Sequence, residues 1–288
     1  MSLQLVEDKA GDLASAAYLL TACELAYAPE AQGAPGFREK LGLDARLITV
    51  SNTQAYVGQN DRSIVVAFRG SESPDTIDGF KDWLVTNANN FLVLPEGQLG
   101  TDFAAAGVGA RFHKGFIEAL AEFWDPLYLA VDTAMKTKER PLWITGHSLG
   151  GALALMAAWR FQQQFIQVHE ICTFGAPMVG NNAAAEAFKR EFPGKIFRYV
   201  DAMDIVPKLP TISLITNTYT HCLAEQLLGG SGTDAEAALK ELSERSVQNG
   251  NPDTLPMDDL WNCLKDRIDH HMVSSYLARI EEKAKGNV

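Results

Sequence analysis

The sequence predicts an α/β fold with a mostly parallel central sheet and helices on both faces, and three observations carry that expectation. Residues 64–68 (Ile-Val-Val-Ala-Phe), 142–145 (Leu-Trp-Ile-Thr), 171–174 (Ile-Cys-Thr-Phe) and 196–200 are short apolar runs. That is the pattern of strands buried on both faces. Helix-forming stretches separate them, at 112–135, at 149–165 and around Phe188, and strands alternating with helices pair in parallel through crossovers. The 288-residue chain is also 47% hydrophobic and 21% charged. A chain of that size buries roughly three quarters of its unfolded surface, enough for a core without metals or staples.

From the start of the chain, Leu13, Ala16, Ala17, Leu20 and Tyr27 bring apolar side chains to helical spacing, and Pro29 closes the run. A helix packed on the larger body is expected there. Residues 47–50 and 55–57 flank the polar turn Ser51-Asn52-Thr53 and read as a hairpin at the sheet edge. After residue 225 the rhythm breaks. Gly229-Gly230-Ser231-Gly232 is a loop, Thr233 or Asp234 caps a helix to about Val247, and Leu260, Leu264 and Ile268 are spaced for another. The expected organisation is one domain over residues 1–288 with a helical insertion at about 225–264. Cys23, Cys172, Cys222 and Cys263 are too scattered for a zinc site or a small disulfide scaffold, and buried free thiols are expected.

The formal net charge of -11 excludes a nucleic-acid partner, since no Lys/Arg stripe exists to displace phosphate counterions. It also opposes attraction to anionic membranes. No apolar stretch is long enough to span a bilayer, so transient contact with a lipid interface is the most membrane association expected. Residues 1–12 carry no basic segment followed by an apolar run, so no signal peptide and a cytoplasmic location are expected. Nothing in the sequence specifies an oligomeric state.

Gly146-His147-Ser148-Leu149-Gly150 has the form G-x-S-x-G. Such a match arises by chance in roughly one chain in ten of this size, so its context decides. An apolar strand ends at Thr145 and a helix-forming run begins at Leu149, the strand–turn–helix setting of a nucleophile elbow on an α/β-hydrolase sheet. A serine on so sharp a turn needs small neighbours for close backbone approach. The turn lifts its Oγ clear of the sheet, and the Leu149 amide at the helix start can donate to a developing oxyanion.

Residues 146–154 (G-H-S-L-G-G-A-L-A) strongly resemble the nucleophile segment of class 3 lipases, the fungal-type triacylglycerol lipases. In that family's order, Val66-Ala67-Phe68-Arg69-Gly70-Ser71 resembles the oxyanion-hole strand, and Asp82-Trp83-Leu84 the tryptophan segment after it. His113-Lys114-Gly115-Phe116, Thr173-Phe174-Gly175-Ala176-Pro177 and Asp204-Ile205-Val206-Pro207 match further elements. The resemblance implies an α/β-hydrolase fold and a Ser-Asp-His triad that cleaves carboxylic esters. Ser148 would be the nucleophile, and Ser71 would join Leu149 in the oxyanion hole. No metal or organic cofactor is expected, because histidine supplies the proton transfer.

Asp201 and Asp204 both follow a strand; the Ile-Val-Pro after Asp204 resembles the family segment after its acid, so the resemblance implies Asp204, with Asp201 a loop or capping carboxylate. Of six histidines, His147 is expected to point away from the nucleophile, His113 lies too early, His169 precedes a strand, and His221 reads as structural. A histidine just ahead of the final helix, with a tyrosine in that helix, resembles the family's catalytic base. The spacing to Tyr276 favours His271, and the preceding Asp269 favours His270, the alternative. Residues 72–82 resemble a lengthened link beside the oxyanion serine and read as a lid or pocket rim. Acids outnumber Lys81 there, a poor surface for anionic lipid. Neutral acylglycerols or short-to-medium acyl esters are the expected substrates, with phospholipase A1 or feruloyl-type esterase activity as the alternative.

Overall fold

A seven-stranded sheet crosses the protein in the order β1 (Asp44–Val50), β2 (Thr53–Gln59), β3 (Ile64–Phe68), β6 (Leu142–His147), β7 (Val168–Phe174), β9 (Ile196–Asp201) and β11 (Glu225–Leu228). This computed structural model describes residues 3–70, 92–208, 219–230, 237, 240, 241, 262 and 265–286. The first two pairings are antiparallel and the remaining four parallel. The expected hairpin is the β1–β2 pair, closing with Val50 opposite Thr53. Strands β3 and β6 are buried along their whole length, which is why β3 is an unbroken apolar run and β6 opens with Leu142-Trp143-Ile144. A second, antiparallel sheet joins the two-residue strands β4 (Leu92–Val93), β5 (Phe112–His113), β8 (Gly180–Asn181) and β10 (Tyr219–Thr220), in the order β10-β8-β5-β4.

Two helical layers cover the main sheet. On one face lie α3 (Gly97–Ala104), α4 (Lys114–Thr137), α5 (Leu149–Gln163) and α6 (Asn182–Glu191), packed over a core that includes Val66, Phe68, Leu120, Trp124, Trp159 and Phe188. In α4, Phe116, Ile117, Leu120, Phe123, Trp124, Leu127, Val131 and Ala134 recur at three- and four-residue steps and form its buried stripe. That helix starts two residues later than its pattern suggested, because Phe112 and His113 are drawn into pairing with β4.

The opposite face holds α1 (Leu13–Ala26), α2 (Glu30–Leu41) and the C-terminal α8 (Val273–Ala284), reached through the one-turn α7 (Ile268–His271). Leu19, Leu20, Phe37, Tyr56, Trp143 and Tyr276 are among the side chains enclosed there, each large apolar one contributing about 1.5–3 kcal/mol by leaving water. The Asp12 carboxylate caps α1 by accepting from the Ala14 amide at 2.8 Å. Helix α1 is buried nearly all round, since it lies between the sheet and α8.

The stretch expected to open a helical insertion at residue 225 opens with a strand instead: β11 extends the sheet in parallel beside β9. Most of residues 231–264 lie outside the described residues, as do Ser71, the expected lid at 72–82 and Cys263. Cys23, Cys172 and Cys222 are buried free thiols. Among the described residues no helix is long and apolar enough to cross a membrane.

Candidate active site

Strand β6 ends at His147, α5 starts at Leu149, and Ser148 forms the whole of the turn between them. Its φ of 57° and ψ of -131° are costly for a residue with a side chain, by about 1–3 kcal/mol. The surroundings fix it there. The Ser148 amide donates to the Phe174 carbonyl at 2.9 Å, and the Ser148 carbonyl accepts from the Gly151 amide at 2.9 Å. A Cβ on Gly146 would fall onto the Gly150 carbonyl, and one on Gly150 would lie 2.5 Å from the Phe68 carbonyl oxygen. Gly146 is therefore required by backbone contact across the elbow, and Gly150 by the backbone at the end of β3. Leu149, as the first residue of α5, has an amide with no acceptor inside the helix, at its positive end.

Three side chains from distant parts of the chain meet at this turn. His271 Nε2 is 2.8 Å from Ser148 Oγ, and His271 Nδ1 is 2.7 Å from Asp204 Oδ2. The carboxylate only accepts, so the imidazole donates from Nδ1 and presents Nε2 as the acceptor for the serine hydroxyl. Asp204 Oδ2 also accepts from the Tyr276 hydroxyl at 2.7 Å, and Oδ1 accepts from the Val206 amide at 2.9 Å. Burial, with Asp204 alongside, drives the Tyr276 pKa well above its ordinary value, so it remains a donor. Ser148, Asp204 and His271 are all buried.

Other residues singled out from the sequence take different places. His270 has its Nδ1 3.7 Å from Asp201, which is bonded to the Met203 amide and to Arg279. His113 stacks on Phe116 with ring centroids 4.1 Å apart, and burial pushes its pKa down to about 4. His169 packs against Trp143, and His221 donates from Nε2 to the Pro207 carbonyl. His147 does not point away from the site. Its ring sits 4.7 Å from that of His271, and its Nε2 donates to the His271 carbonyl at 2.6 Å.

Two contributors were given no role at the site by the sequence reading. Gly175 has a φ of +60°, and a Cβ there would lie 3.0 Å from each of Asp204 Oδ2, His271 Cε1 and the Tyr276 hydroxyl. It is the floor of the cluster, and its place directly after β7, within the family-like Thr173-Phe174-Gly175-Ala176-Pro177, is the clue the sequence offers. Tyr27, at the end of α1, bonds His147 Nδ1 at 2.8 Å. Only the fold brings it near.

Chemically, the cluster is a hydroxyl aligned with an oriented base, the base aligned with a carboxylate, and an unsatisfied amide at the start of the adjoining helix. That set performs acyl transfer through a serine.

Comparison with known proteins gives the same direction. The family model for lipase (class 3) matches residues 65–214. A secreted mono- and diacylglycerol lipase 3 from Gibberella zeae is 31% identical over 167 residues, 57% of this chain and 49% of that protein. A secreted mono- and diacylglycerol lipase 1 from Fusarium solani is 32% identical over 197 residues, 67% of this chain and 53% of that protein. The chain spans about half the length of these two relatives. Among solved structures, the mono- and diacylglycerol lipase of Aspergillus oryzae superposes with a TM-score of 0.59 at 22% identity, covering 77% of this chain and 82% of that one, a likeness of fold. The cytoplasmic location expected from residues 1–12 is corrected by these findings, because both relatives are secreted proteins by name.

Proposed function

The chain belongs to the class 3 lipase family, and from that premise we propose that it is a serine hydrolase cleaving carboxylic esters of neutral acylglycerols, mono- and diacylglycerols foremost. The observation that carries this reading is the unbroken line from Ser148 Oγ through His271 to Asp204, at 2.8 and 2.7 Å. Ser148 Oγ attacks the ester carbonyl while His271 Nε2 takes its proton. The resulting imidazolium faces Asp204, which holds the ring and stabilises its charge. Negative charge on the former carbonyl oxygen is met by the Leu149 amide and, by family resemblance, by Ser71. His271 then gives its proton to the departing alkoxide, leaving an acyl-serine and a free alcohol. Water, deprotonated by the same nitrogen, attacks the acyl-serine; the carboxylic acid leaves and Ser148 regains its proton.

The substrate class is supported by the two relatives named as mono- and diacylglycerol lipases and by the net charge of -11, which repels anionic headgroups. Contact with the lipid interface in this reading is transient. Residues 1–288 act in it as one domain, since helices from both ends of the chain, α1 and α8, pack together on one face. Initial rates on monooleoylglycerol, dioleoylglycerol, trioleoylglycerol and phosphatidylcholine at equal interfacial concentration test the assignment. Mono- and diacylglycerol should be turned over fastest. Faster cleavage of phosphatidylcholine would replace the reading with a phospholipase.

A further inference from the structure

His147 is a buried titratable side chain beside the nucleophile that the mechanism above does not use. Its Nε2 is 2.6 Å from the His271 carbonyl and its Nδ1 is 2.8 Å from the Tyr27 hydroxyl. A carbonyl only accepts, so the proton is on Nε2 and Nδ1 is an acceptor for the Tyr27 O–H. Gly70 packs directly against this hydroxyl, since a Cβ on Gly70 would fall onto it. The two bonds run in one direction, from Tyr27 at the end of α1 through His147 on β6 to the backbone of His271. Gly70, just beyond β3, abuts their starting hydroxyl.

The receiving carbonyl matters because of where it stands. His271 is the last residue of the one-turn α7, and Met272 after it is extended at φ -70° and ψ 143°. Carbonyls at such a helix end have no partner in their own helix. The consecutive residues His147 and Ser148 thus grip His271 at two points, backbone and ring. At the Tyr27 end, the abutting Gly70 immediately precedes Ser71, the residue read as an oxyanion donor. Hydrogen bonds linked in this way strengthen one another in an enclosed setting.

We propose that Tyr27 and His147 are positioning residues, forming a relay that fixes the backbone of the base and the end of the oxyanion strand in one register. The N-terminal helix thereby contributes to the active site, although Tyr27 lies outside the family-matched segment, residues 65–214. This rests on the reading of Ser148 as nucleophile and His271 as base. A misplacement of about 1 Å at such a site costs up to a hundredfold in rate, so the relay should be visible in kcat.

The test uses the full chain, with active sites counted by titration with a fluorophosphonate and turnover measured on p-nitrophenyl butyrate. Tyr27→Phe, which deletes one oxygen, should lower kcat per titrated site about tenfold with KM unchanged. His147→Leu should lose roughly a hundredfold. His147→Gln, which keeps an N–H that can reach the His271 carbonyl, should recover most of that loss. A merely structural role would lower the thermal midpoint while leaving kcat per titrated site at the wild-type value, and that result overturns the relay. Failure of the wild type to titrate at all would instead remove the Ser148 reading, and the relay with it.

Discussion

Two carboxylate–imidazole pairs stand side by side behind Ser148, built from the same residue types and contributed by the same two stretches of chain. In one, His271 and Asp204 are 2.7 Å apart and both enclosed, with relative side-chain exposures of 7% and 1%. In the other, His270 and Asp201 are 3.7 Å apart, and the His270 side chain is 33% exposed. The partners of the two carboxylates differ more than these distances do. Asp201 already faces the Arg279 guanidinium at 3.3 Å. Among the described residues Asp204 has no Lys or Arg ion pair; its oxygens accept from Tyr276, the Val206 amide and His271. Its charge is thus reserved for the imidazolium that forms during the reaction, in surroundings where water does little to screen it. Residue type does not separate a catalytic pair from a structural one here. Enclosure and an uncompensated charge do.

Substitutions should separate the pairs by orders of magnitude. His271→Ala should lose on the order of 10⁵-fold in kcat, whereas His270→Ala should stay within about threefold, because its ring makes one long contact from water. Equal losses in steady-state assays on a soluble ester would erase the distinction. Asp204→Asn should cost roughly 10³–10⁴-fold, through loss of the charge and of the imposed ring tautomer. Asp201→Asn should leave kcat near normal and lower stability by about 1–3 kcal/mol, as the Arg279 contact and the Met203 cap weaken. Chemical denaturation alongside kinetics would show whether the two aspartates divide in this way.

A smaller effect concerns the enclosed histidines. Burial pushes His113 down to about 4 and holds His147 and His221 well below the ordinary imidazole value of 6.5. Above that value neither the folded nor the unfolded chain holds the extra proton. Below it the unfolded chain takes up protons that the folded chain refuses, so stability falls by about 1.4 kcal/mol per pH unit for each such histidine. The His113 contribution stops growing below about 4. The denaturation midpoint should therefore drop between pH 6.5 and 5, and less steeply in His147→Gln; an identical slope in that variant would show that His147 is not held neutral.

The nucleophile segment could be read in advance because its information is local. Gly146, Ser148 and Gly150 lie within five residues, between a run that must be a strand and one that must be a helix. The backbone contact demanding Gly146 falls inside the same turn, whereas the one demanding Gly150 comes from the end of β3. Asp204 was marked by the three residues that follow it, and His271 by its spacing from Tyr276. What the sequence hid depends on distant chain. Tyr27 gains its role when α1 folds back against β6, and Gly175 when Asp204, His271 and Tyr276 converge above it. Helix α2 was obscured by Gly33, Pro35 and Gly36, which oppose helix by propensity. Tertiary packing overrides that, with Phe37 stacked 4.9 Å from Tyr56. The strand β11 has no apolar alternation in Glu-Gln-Leu-Leu and exists because β9 offers it an edge. Two-residue strands such as β5 and β8 are too short for any periodicity to mark.

The central claim is that His271 draws the proton from Ser148 and so makes this one serine reactive. Mass-spectrometric mapping of a fluorophosphonate on the full chain tests it directly, with His271→Ala and Ser148→Ala as companions. A single adduct on Ser148 in the wild type, slowed by orders of magnitude in His271→Ala and absent in Ser148→Ala, is the result predicted. An adduct elsewhere, or one on Ser148 that forms as fast without His271, would contradict it.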